Sequence, residues 1–121
     1  MSFEYAPSIG SLYPEQRLHF YELFAHNLTI SIRSIWSDSV ITDAEKLDQI
    51  KWVNEIMHRI TSKIYHLRLN QNTMSDSDTW QTIEHWVSQN PAIGDEVTFA
   101  IMYSYNYVVR LKDEDLDHSS D

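Results

Sequence analysis

The side chains that could carry chemistry are few, and their spacing limits what each could do. Glu55-Ile56-Met57-His58 is a Glu-x-x-His pair, the spacing with which helical bundles ligate paired iron or manganese. Such a centre needs two of these pairs and a further Glu from each of two other helices, and the chain holds one pair. His19, Glu22 and His26 fall along one side of a single helical stretch. Two imidazoles and a carboxylate are a possible zinc set, but the His-Glu-x-x-His order that joins metal ligands to a general base is absent. His85 follows Glu84 directly, so on a helix the two diverge.

Other catalytic chemistries find less support. With no cysteine there is no thiol nucleophile, thiolate metal site or disulfide. No Gly-x-Ser-x-Gly elbow occurs, so a Ser-His-Asp triad would have to be assembled by the fold. The isolated Gly10 and Gly94 cannot build a phosphate-cradling loop. The sequence therefore predicts no catalytic residue, no cofactor and no metal site. A metal-dependent enzyme using the helix His and Glu pairs ranks third among the readings, behind two non-enzymatic ones.

The stronger signal is charge. The net charge is −9, and it is concentrated: from Asn70 to Asp121 there are ten acids and two bases, against eight and seven before Asn70. A field of that sign repels phosphate backbones and anionic lipid and attracts cationic surfaces. Lys46, Lys51, Arg59, Lys63 and Arg68 are set among Asp43, Glu45, Asp48 and Glu55, which reads as a solvated helix face rather than a nucleic-acid footprint. Neither nucleic acid nor a membrane is an expected partner. No run of 18 apolar residues occurs, and Met1 to Gly10 lacks the basic start of a secretory signal. A cytoplasmic location is the expectation.

The elements that must position these residues follow from periodicity. At 121 residues one domain is expected, over residues 1–111, with a disordered acidic tail over 112–121. Tyr13-Pro14-Glu15 opens a first helix running to about Trp36, because Pro suits the first helical position. Leu18, Tyr21, Ala25, Leu28, Ile32 and Ile35 form its apolar stripe, widened by Phe24. Thr42 to Glu45 has capping-box spacing and starts a second helix, about 43 to 68, with Ile50, Val53, Met57, Ile60, Ile64 and Leu67 inward. A third carries Trp80, Ile83 and Val87 and stops near Gln89, ahead of Asn90-Pro91, where Asn90 is the expected cap of the next helix.

Residues 97–107 read two ways. Every odd position from Val97 to Tyr107 is apolar or aromatic, the period of a strand that could pair with 28–32 as a two-stranded ribbon. Ile93, Val97, Ala100, Ile101, Ser104 and Val108 equally make a helical stripe, and a helix is the preferred reading. The fold class is then all-α, a small four-helix bundle.

In size, acidity and lack of cysteine the chain is similar in layout to small bacterial proteins that block cationic effectors, immunity proteins and nucleic-acid mimics among them. The likeness lies in size and charge alone. The leading expectation is a non-enzymatic inhibitor or immunity-type module that docks on a basic protein. Asp76, Asp78, Glu84, Asp95 and Glu96 would supply the carboxylates, and Tyr103, Tyr105 and Trp52 the aromatic anchors. Trp52 qualifies because it lies about 110° from its helix's stripe, beside Arg59 on the wheel. The second expectation is a structural or assembly subunit in which the same surface joins two copies.

Overall fold

The protein is all-α. A computed structural model describes residues 12–69 and 76–119, with side chains described for 12–69 and 78–110. Among the described residues there are four helices, α1 (Pro14–Ser37), α2 (Asp43–Arg68), α3 (Asp76–Gln89) and α4 (Gly94–Ser119), with a 3-10 turn, Pro91–Ile93, between the last two. Among the described residues there is no strand, so 97–107 is helical and no ribbon with 28–32 forms. No described helix is long and apolar enough to cross a membrane. The irregular arm expected at the start and the loop at 70–75 lie outside the described residues. The backbone stays helical through Ser119, past the Lys112 at which a disordered tail was expected to begin, and the side chains from Leu111 on are outside the described ones.

Local chemistry sets the helix ends. Pro14 occupies the first position of α1, and the Gln16 Oε1 accepts the Tyr13 amide at 3.1 Å. Thr42 caps α2 by accepting the Glu45 amide at 3.2 Å. Glu45 closes the exchange on the Thr42 hydroxyl, at 3.1 Å, rather than on the Thr42 amide that the sequence pattern suggests. Asn90 differs from expectation: its side chain does not cap α4 but turns back towards the Trp86 carbonyl, 3.5 Å away, while its amide closes the end of α3.

The centre of the molecule is α1, which packs along α2 on one flank and α4 on the other. Both neighbours run antiparallel to it. Glu22 meets Arg68 and Thr29 meets Met57 on the α2 side; His19 meets Tyr107 and Asn27 meets Ser104 on the α4 side. Because it is covered from two directions, the buried stripe of α1 is rotated from the expected one. Phe20, Tyr21, Phe24, Leu28, Ser31 and Ile35 are buried, whereas Leu18, Ala25 and Ile32 are half-buried. On α3, Trp80, Ile83 and Val87 are buried as expected, and so are Ile93, Val97, Ala100, Ile101, Ser104 and Val108 at and along α4.

Trp80 anchors α3 by entering an aromatic box on α1. Its ring stacks on Phe24 at 5.9 Å and 10° and on Tyr21 at 6.3 Å and 27°, with Phe20 tilted at 6.2 Å. Aromatic pairs of this kind contribute roughly 0.5–1.5 kcal/mol each beyond burial of their area.

The solvated face expected of α2 is incomplete. Lys63 is only 1% exposed, with Nζ 6.0 Å from the Tyr21 ring centre, and Arg59 is half-buried, donating from Nη2 to the Thr82 hydroxyl of α3 at 3.3 Å. The buried stripe of α2 is Val53, Ile56, Ile60, Lys63 and Ile64, turned from the expected centre towards Ile56, with Met57 half-buried. The rotation follows from α3, which covers the Arg59 and Lys63 flank.

Candidate functional site

The potential metal ligands disperse. Glu22 turns towards α2, its Oε2 3.5 Å from Arg68 Nη2 in an exposed ion pair, while His19 leans on Tyr107 across α4 at 6.0 Å. His26 is exposed, as are Glu55 and His58. Among the described residues no group of three His, Asp or Glu side chains is placed to hold a metal.

The docking residues read from the sequence are also spread over several faces. Asp78 is exposed in the first turn of α3, and Glu84 is half-buried further along it. Asp95 is exposed and Glu96 half-buried at the start of α4. The side chain of Asp76 lies outside the described ones. Trp52 is half-buried and packs against the core, with Lys51 Nζ 5.6 Å from its ring centre, and Tyr105 also packs against the core. Both rings are thus partly covered, whereas Tyr103 is 64% exposed.

Of the eight residues, the structure brings Glu96 and Tyr103 together. Both line an open groove of about 300 Å³ between α1 and α4, with Asn27, Ile30, Ser31 and Ser34 on the α1 side and Phe99 and Ala100 on the α4 side. Asn27 Nδ2 donates to Ser104 Oγ at 3.0 Å beneath it, and the Ser104 hydroxyl in turn donates to the Ala100 carbonyl at 2.7 Å. This polar link ties the two helices where the groove keeps their upper faces apart. Phe99 stacks on Tyr103 at 6.2 Å and 28°, and Tyr107 continues the row. Ile30, Phe99 and Tyr107 are each about half exposed.

At its Glu96 end the groove opens into a second, larger hollow of about 660 Å³. The last turn of α1, the start of α2 and the 3-10 turn wall it, through Ser34, Ser37, Asp38, Ile41, Glu45, Gln49 and Ala92. Three carboxylates and no base line this hollow. Two of them have local duties. Asp38 Oδ1 accepts the Val40 amide at 2.9 Å in the turn after α1, and Glu45 Oε1 accepts from Thr42. Each has a second oxygen to offer.

Sequence reasoning missed Asp38, Glu45, Phe99, Tyr107 and Ile30 as members of these surfaces. For the rings a signal existed: once Val97, Ala100, Ile101, Ser104 and Val108 are inward, Phe99, Tyr103 and Tyr107 fall on one outer stripe by subtraction. For Asp38 and Glu45 there was none, because only the tertiary fold sets them beside Glu96. No protein family, curated protein or solved structure matches this chain.

Proposed function

We propose that this protein is a non-enzymatic binding module whose acidic surface docks on a basic protein partner, as an inhibitor or immunity-type protein does. The observation that supports this best is the all-acid hollow, lined by Asp38, Glu45 and Glu96 from three parts of the fold with no base among the lining residues. A lysine or arginine entering there would meet carboxylates in charge-assisted hydrogen bonds and lay its aliphatic stem along Ile35 and Ile41. The net charge of −9 adds long-range attraction, which acts mainly on the rate of encounter. Direct nucleic-acid binding, a membrane role and catalysis have no place in this reading.

The experiment is an association-rate measurement with a basic protein recovered from native lysate. It compares the wild type with the triple variant Asp38→Asn, Glu45→Gln, Glu96→Gln. The amides keep the acceptors that the turn and the cap use, so only charge is removed. The variant is expected to associate at least about tenfold more slowly at low salt, with the difference shrinking as salt screens the field. Equal rates for the two proteins at low salt would sink the proposal.

A further inference from the structure

The outer stripe of α4 has an order that a cationic partner does not require. Its members are Glu96, Phe99, Tyr103, Tyr107 and Arg110, separated by three, four, four and three residues. The spacing reads the same in both directions, and Tyr103 stands at its midpoint. The chemistry is graded along it: an acid at one end, three rings in the middle, a base at the other end. Arg110 is exposed, and neither it nor Glu96 makes an ion pair among the described residues.

We propose that this face is a two-fold contact for a second copy of the chain, with Tyr103 on the axis. A two-fold interface uses the same patch on both partners, so the patch must be complementary to itself when reversed. Laid antiparallel on its own copy, α4 sets Glu96 against Arg110 of the second copy, Phe99 against Tyr107, and Tyr103 against Tyr103. Glu96 and Arg110 each lie about 10.5 Å along the helix from Tyr103, so both charge pairs close in one register. The groove of about 300 Å³ beside Phe99 and Tyr103, floored by Ala100 and bounded by Ile30, gives the incoming rings an apolar seat.

The stripe also sets the strength of the contact. Each of the three rings leaves on the order of 100 Å² to be covered. Two copies together stay below the roughly 1,200 Å² of standard stable interfaces, so the dimer is reversible and concentration-dependent. The contact stands independently of the basic-partner reading, since it uses the ring stripe and that reading uses the hollow. Glu96, at their junction, is common to both.

Equilibrium sedimentation of the full chain alone, with no partner present, tests the contact without engaging the other proposal. Wild-type mass should rise from one chain towards two with concentration, while Tyr103→Glu should stay at one chain throughout. Glu96→Arg and Arg110→Glu should each move dimerisation to at least about tenfold higher concentration by setting like charges opposite one another. The double variant carrying both changes should recover the wild-type curve, which a mere loss of folding would not do; circular dichroism should show unchanged helix in all four. A wild type that remains one chain at every concentration overturns the proposal, and so does a double variant no better than its single parents.

Discussion

Two aromatic groups in this molecule share Phe and Tyr and have opposite fates. Phe20, Tyr21, Phe24 and Trp80 close on one another from α1 and α3 and are excluded from water. Phe99, Tyr103 and Tyr107 stand in a row on α4 and are each half exposed or more. The difference lies in neighbours. The first group has a facing helix whose one large ring fills the space between three others. The second lies on the outer side of α4: Phe99 and Tyr103 border the open groove, whose floor is tied by Asn27 and Ser104, and Tyr107 leans against His19. Buried rings hold a fold together, whereas an exposed row leaves apolar surface open to contact.

Substitutions can break this comparison, and the largest effect belongs to the buried group. Phe24→Ala or Trp80→Ala should cost about 3–5 kcal/mol of stability by leaving a cavity in the box. In contrast, Tyr103→Ser should stay within about 0.5 kcal/mol. Urea melts of the three proteins measure both, and a Tyr103→Ser loss matching that of Trp80→Ala would erase the distinction. Next comes Lys63, buried against the same box. Lys63→Ala should lose roughly 2–4 kcal/mol through the cavity left by its stem, whereas Lys63→Met, which refills most of that volume, should lose less than about 1.5 kcal/mol. Equal losses would mean that the amine, not the stem, is what the box holds. The smallest effect sharpens the boundary between the two regions. Asn27→Ala removes the side-chain link to Ser104 and should cost about 1 kcal/mol, read as a lowered urea midpoint. Hydrogen exchange in that variant should quicken along the facing stretches of α1 and α4 and not in the Trp80 box.

Much of the fold was legible in the sequence. The starts of α1 and α2 were marked by Pro14 and by the Thr42–Glu45 pair, and the inner stripe of α4 was read residue by residue despite the competing strand period. Errors clustered where burial depends on more than one neighbour. The buried faces of α1 and α2 were each turned from expectation, because α1 is covered by α2, α4 and the Trp80 ring of α3, and α2 by both α1 and α3. Less of the candidate site was legible. Glu96 and Tyr103, which share the groove, were named, and Trp52 and Tyr105, also named, are half-buried against the core. Lys63, read as solvated, is buried.

What the sequence determined by itself is therefore local: the helical periods, the starts of α1 and α2, the acidity of the chain and the order of side chains around each axis. A helix's period and caps depend on residues within a turn or two, so the chain carries them in plain form. Only the tertiary structure decided which off-stripe residues are covered and which carboxylates share a hollow. Asp38, Glu45 and Glu96 come from separate parts of the chain and line one hollow because α1, α2 and α4 pack as they do. Proximity of that kind belongs to the packing, and no window of sequence contains it.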